Sequence, residues 1–128
     1  MKKRLLKIIS VSIIMTLIMS ICASAVTPRW AYIYSIRPDI DKSNDTYGVV
    51  VNANTSVSSI TADLVLYKKG LLGIYTKKST HTETIYTYSG IINGSYDMDL
   101  DNEYKVVATV TVKTASGQSE TATAELAV

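Results

Sequence analysis

Apolar and polar residues alternate with a period of two along most of the chain, and no window carries a helical period. The alternation predicts a first strand over Trp30–Ile36, ended or marked as an edge by Pro38, and a polar loop from Pro38 to Asp45. A second strand follows over Tyr47–Ala53, with a turn within Asn52–Ser59. Ile60, Ala62, Leu64 and Leu66 then alternate with Thr61, Asp63, Val65 and Tyr67 in a third strand. Lys68-Lys69-Gly70 reads as a turn, with Leu71–Lys77 pairing back as a hairpin. Ser79–Gly90 reads as a long polar-aromatic strand, Asn93-Gly94 as a turn, and Ser95–Leu100 as a short strand. Tyr104, Val106, Ala108, Val110 and Val112 share one face of the clearest strand. After a turn at Ser116-Gly117, Ala122, Ala124, Leu126 and Val128 share the inner face of the last.

Seven to eight short strands without a helix must bury their apolar faces against one another. The expected fold is all-β: a single immunoglobulin-like or fibronectin-III-like sandwich of about seven to eight antiparallel strands. A closed barrel is the structural rival. Leu100, four residues before Tyr104 at the start of a long strand, has the form of a tyrosine corner, in which the phenol bonds backbone while its ring packs on the core. Trp30, Leu100 and Tyr104 are therefore expected to be structural.

The first 25 residues follow a different pattern. Lys2, Lys3, Arg4 and Lys7 precede a hydrophobic stretch from Ile8 to Ile21, and Ala23-Ser24-Ala25 supplies small residues for cleavage. This is the order of a secretory signal peptide, cut after Ala25, with residues 26–128 as one exported domain. An apolar stretch of about 14 residues is short of the roughly 20 that a spanning helix needs. Cys22 has Ile21 before it instead of the small residue that lipoprotein signals use, so it reads as part of the apolar stretch.

Removing the leader reverses the charge. Four of the 13 basic residues and none of the 11 acidic ones fall in it, which leaves 9 against 11 and a net charge of −2. That balance gives no reason to expect nucleic acid or an anionic membrane as partner. Cys22 is the only cysteine, so the exported domain has no disulfide and depends on its core. The mature chain has no transmembrane segment. Its last residues lack a sorting motif or hydrophobic tail.

Chemistry for catalysis is sparse. His81 is the only histidine and sits in an alternating strand, and no glycine-rich phosphate loop occurs. No enzyme activity is expected. Two acidic runs are more suggestive. Asp39, Asp41 and Asp45 alternate in one loop, Asp99 and Asp101 in another, and a sandwich places both loops at one pole. Hard oxygen ligands there could hold Ca²⁺, although Asn44 and Val50 replace the glycine and glutamate of a calcium loop. The other candidate surface is aromatic. The chain has nine Tyr, one Trp and no Phe, and Tyr32, Tyr34, Tyr86 and Tyr88 lie in pairs on two strands. Exposed tyrosines bury area at low entropic cost, which suits a binding face.

Three segments carry a resemblance: Arg29-Trp30-Ala31-Tyr32-Ile33; Leu64-Val65-Leu66-Tyr67-Lys68-Lys69-Gly70; and Glu103-Tyr104-Lys105-Val106 with Ser119-Glu120-Thr121. Together they resemble small secreted immunoglobulin-like proteins of Gram-positive bacteria, a group without an assigned function. Tyr67 stands where that group commonly has Gln, and Tyr75 where it often has Trp. The resemblance implies a single sandwich behind a signal peptide and transfers no catalytic residue. The functional expectation is a secreted, extracellular, non-enzymatic domain mediating an interaction with a protein or glycan at the cell surface. The alternatives are an accessory module of another exported protein and a carbohydrate-binding module using exposed tyrosines.

Overall fold

The computed structural model describes residues 30–128. The leader and its cleavage after Ala25 lie outside the described residues. Seven strands follow in order: β1 (Ile33–Asp41), β2 (Thr46–Ala53), β3 (Val57–Lys69), β4 (Tyr75–Ile85), β5 (Ser89–Ser95), β6 (Tyr104–Thr114) and β7 (Ser119–Ala127). They form a three-stranded sheet, β1-β2-β5, and a four-stranded sheet, β4-β3-β6-β7, with every pairing antiparallel. Two separate sheets make this a sandwich and not a closed barrel. The fourth strand lies beside the third, on the sheet that carries β6 and β7. In the constant-type immunoglobulin arrangement it would join the opposite sheet.

The alternation in the sequence becomes the core directly. Val49 and Val51 of β2 and Ile92 of β5 face Ile60, Ala62, Leu64 and Leu66 of β3 and Val106, Ala108, Val110 and Val112 of β6, all buried. In β7 the inner face thins out. Ala122 is buried, Ala124 and Leu126 are half-buried, and Val128 is exposed, contrary to its expected place inside.

The outward face of the larger sheet is paved with threonine. Thr84, Thr61, Thr111 and Thr121 form one rank across all four strands, and Thr82, Asp63, Thr109 and Thr123 form the next. The hydroxyls pair across strands: Thr61 with Thr84 at 2.8 Å, Thr111 with Thr121 at 2.9 Å, and Thr82 with Asp63 at 2.7 Å. β-Branched residues suit a half-exposed pleat, and such cross-strand pairs are its unit of stabilisation.

Four boundaries differ from the sequence expectation. β1 runs through Pro38 to Asp41, with Pro38 opposite Val49. A missing N–H is tolerated there because β1 is an edge strand. The long strand from Ser79 stops at Ile85, and the turn falls at Tyr86–Tyr88. Asn93-Gly94 is not a turn but part of β5, opposite Gly48 and Tyr47. Gly94 is needed there for close approach: a Cβ on it would lie 2.7 Å from Cζ of Tyr47 and 2.9 Å from Cβ of His81. After Ser95 the chain forms no further strand before β6.

Candidate functional site

The strand ends place the four candidate tyrosines at one pole. Tyr32 and Tyr34 precede or open β1, and Tyr86 and Tyr88 occupy the turn between β4 and β5. Both groups meet the turn after β2. Asn54 donates its backbone N–H to the carbonyl of Tyr32 (2.7 Å) and its side-chain amide to the Tyr34 hydroxyl (2.8 Å), and Ala53 N–H donates to the carbonyl of Tyr88 (2.8 Å). The Asn54 side chain also accepts from Ser56 N–H at 2.9 Å, closing its own turn. Tyr34, Tyr86 and Tyr88 are 65%, 85% and 46% exposed. Tyr32 is half-buried and packs against the core cluster.

Glu120 of β7 holds the entry to this pole. Its carboxylate accepts the backbone N–H groups of Ala31 (2.7 Å), Tyr32 (3.1 Å) and Ile33 (2.9 Å). Burial pushes the Glu120 carboxyl up, but the three backbone donors outweigh it and hold the group below its ordinary value. The Tyr32 hydroxyl bonds the side-chain carbonyl of Gln118. Beside it lies an open depression of about 470 Å³ bordered by Tyr32, Thr55, Ser56, Ser116 and Gln118. Trp30, at 42% exposure, stands at the rim of the fold and is not a core residue. Neither Asn54 nor Glu120 was a candidate site residue from the sequence, although Glu120 lies in the Ser119-Glu120-Thr121 segment. The one signal was the turn chemistry of Asn54-Thr55-Ser56; a strand glutamate gives no sign that it will bind backbone 87–89 residues away.

The opposite pole gathers the acidic loops as expected, but the carboxylates do not converge. Asp41 Oδ1 accepts from Ser43 N–H (3.1 Å) and Oγ (2.6 Å), and its Oδ2 accepts from the Asn44 amide at 2.7 Å. The Ser43 and Asn44 side chains hold its carboxyl below the usual range. Asp45, in a left-handed conformation at φ 58°, accepts Met98 N–H on its side chain and Tyr96 N–H on its carbonyl. Asp99 accepts from Lys68 Nζ at 2.9 Å and from Asn102 at 3.0 Å, and the lysine holds its carboxyl down. Asp39 stands in β1 opposite Gly48, and Asp101 is an exposed turn residue. The two loops are bridged by an ammonium: Lys42 Nζ donates to the carbonyls of Asn102 (3.1 Å) and Leu100 (3.4 Å). Among the described residues no three acidic, histidine or cysteine side chains are placed to hold a metal ion. Asp39, Asp41, Asp45, Asp99 and Asp101, the five carboxylates named from the sequence, are thus at one pole but not gathered into a single ligand set.

Tyr104 closes this pole. It is fully buried, its hydroxyl accepts Asp99 N–H at 2.9 Å, and its ring meets Tyr96 edge-on at 6.5 Å. Leu100 takes no part, being 67% exposed; Met98 supplies the buried apolar side chain of this connection. A Leu at that spacing is carried outward because the Asp99–Asn102 turn presents its apex to solvent. His81 is half-buried with Nε2 3.2 Å from Glu83, and its neighbour two residues back, Ser79, shares a hydrogen bond with Tyr47.

Compared with family models, curated proteins and solved structures, the chain finds no match. Among the described residues no helix is long and apolar enough to cross a membrane. The class defined by the fold is a two-sheet antiparallel β-sandwich.

Proposed function

We propose that the chain is an exported, non-enzymatic interaction domain of the small immunoglobulin-like type found in Gram-positive bacteria, released by cleavage after Ala25. It engages a protein or glycan at or outside the cell surface through its tyrosine-bearing pole. The observation that carries this reading is that Tyr34, Tyr86 and Tyr88, from two distant parts of the chain, stand exposed at one pole, with the Tyr34 hydroxyl bonded to Asn54 and the Tyr88 carbonyl to Ala53. Exposed rings with polar tips, at the same pole as the depression bordered by Tyr32, Thr55, Ser56 and Gln118, suit a sugar or a polar protein surface. Docking as an accessory module through an unpaired sheet edge is less well supported, because β4 carries Lys77, Lys78 and a register irregularity, devices that protect an edge.

The test is co-sedimentation of residues 26–128 with intact cells and isolated walls of the producing organism. Binding should fall at least tenfold in the Tyr34→Ser/Tyr86→Ser/Tyr88→Ser variant, whose changes lie outside the core. Equal binding by that variant and the parent domain would overturn the proposal. Protease treatment of the walls removes a protein receptor, and periodate treatment removes a glycan one.

A further inference from the structure

The β3–β4 hairpin ends in an apolar apex that no part of the described fold covers. Leu71, Leu72 and Ile74 are 93%, 96% and 63% exposed. The last bond to the neighbouring β6 side is Lys69 N–H to the carbonyl of Glu103; beyond it, the tip bonds only itself, through Gly70 N–H to Ile74 (2.7 Å) and Gly73 N–H to Gly70 (3.2 Å). Leu72 is held at φ 67° and Gly73 at φ 75°. A leucine in the left-handed region is costly, and such strain gathers where a surface has a task.

Directly behind the apex lies a band of cations and tyrosines. Lys77, Tyr67 and Lys105 form one rank across β4, β3 and β6, about 7 Å (two strand residues) behind the pair Lys69–Tyr75. The Lys105 ammonium stands 4.5 Å from the Tyr75 ring centre and 5.3 Å from that of Tyr67. Of the acidic groups around the hairpin, Asp99 and Glu103 are paired with Lys68 and Lys69 at 2.9 and 2.8 Å, and Glu125 of β7 lies two residues from Ala127, the register partner of Lys105. Lys77, Lys78 and Lys105 have no carboxylate partner among the described residues. The charge of −2 over residues 26–128 therefore conceals a cationic hairpin.

We infer that this hairpin docks on an anionic lipid surface: Leu71, Leu72 and Ile74 enter the apolar layer, Tyr67 and Tyr75 sit at headgroup depth, and Lys77, Lys78 and Lys105 meet the lipid charge. Apolar insertion combined with basic attraction is how peripheral segments hold a membrane, and tyrosines favour its interface. A bilayer is favoured over a protein pocket because the exposed apolar apex is backed by tyrosines and by lysines without a carboxylate partner, the order of groups met from the apolar layer to the headgroups. The inference is independent of the tyrosine pole, which lies at the other end of the sandwich.

The experiment is vesicle co-sedimentation of residues 26–128, which include the whole core. Vesicles are equal parts phosphatidylglycerol and phosphatidylcholine, or phosphatidylcholine alone. Binding is expected to the anionic vesicles, at least tenfold weaker to the neutral ones, and at least tenfold weaker in Leu71→Ser/Leu72→Ser and in Lys77→Glu/Lys78→Glu. A Leu72→Trp probe in a Trp30→Phe background should shift its emission to the blue on binding, whereas the native Trp30, at the far pole, should not respond. The triple tyrosine variant should bind vesicles like the parent. No sedimentation at millimolar anionic lipid would overturn the inference. So would binding indifferent to Leu71 and Leu72, or a tip-dependent contact with a purified surface protein in the absence of vesicle binding.

Discussion

The two poles of the sandwich use tyrosine in opposite ways. At the hairpin pole Tyr47 and Tyr104 are buried, each with its hydroxyl bonded, one to Ser79 and the other to the backbone of Asp99. At the other pole Tyr34, Tyr86 and Tyr88 keep their rings in water. A chain without phenylalanine must put some tyrosines in its core, and it can do so only where a partner for each hydroxyl is within reach. What separates a structural tyrosine from a surface one is thus the surrounding chain. Tyr104 is enclosed by a connection tied down at Asp45, Asp99 and Lys42, whereas Tyr86 opens a three-residue turn and is 85% exposed.

Substitutions sharpen this contrast. Tyr104→Ala should be the most damaging, costing about 3–5 kcal/mol as a large buried ring is lost. Tyr104→Phe keeps the ring and should cost only about 1 kcal/mol, the worth of one hydrogen bond. Both are read from urea unfolding. Tyr86→Ala at the opposite pole should change stability by less than about 0.5 kcal/mol; a cost near that of Tyr104→Ala would mean that its ring is not at the surface. Gly94→Ala should cost about 1–3 kcal/mol, because the new Cβ has only the Tyr47 ring and His81 to push against. Combining it with Tyr47→Leu should recover part of the loss, since the obstructing phenol is gone.

The charged contacts differ between the poles in the same sense. Glu120→Ala removes three backbone partners of residues 31–33 and should cost about 2 kcal/mol, with faster amide exchange confined to those residues. The Glu120 carboxyl is lowered on folding, as are those of Asp41, Asp99 and Glu103. The unfolded chain then binds more protons in the acid range. Their contribution is complete above the unfolded carboxylate values near pH 4 and is lost as pH falls through the lower folded values. The melting temperature should therefore fall steadily from pH 5 to pH 2. The smallest effect expected is that of salt. At 1 M, where screening acts over about 3 Å, the exposed Lys68–Asp99 and Lys69–Glu103 pairs should weaken, and their Ala variants should become indistinguishable from the parent. The Glu120 variant should keep its deficit, because its bonds are to backbone and partly shielded.

The sandwich was legible because it is written in a local code. Ile60, Ala62, Leu64 and Leu66 alternate, as do Tyr104, Val106, Ala108, Val110 and Val112, and a period of two leaves a strand only one way to bury its apolar side chains. Asn93-Gly94 misled because the same dipeptide that favours a tight turn also supplies the bare backbone that a neighbouring Tyr47 ring requires. The acidic runs were legible only as runs: alternate spacing places carboxylates in a loop but does not aim them, and Asp41, Asp45 and Asp99 are each engaged by a hydroxyl, a backbone N–H or an ammonium.

By itself, then, the sequence determined the all-β class, the inner faces of β3 and β6, the single cysteine and the supply of tyrosine, since all of these follow from composition and short-range pattern. Only the tertiary structure decided which tyrosines face water, which lysines lack a carboxylate, that Glu120 clasps the entry to β1 and that Leu71, Leu72 and Ile74 stand clear of the fold. Those outcomes depend on contacts between residues as many as 89 positions apart, and no local pattern encodes such a distance.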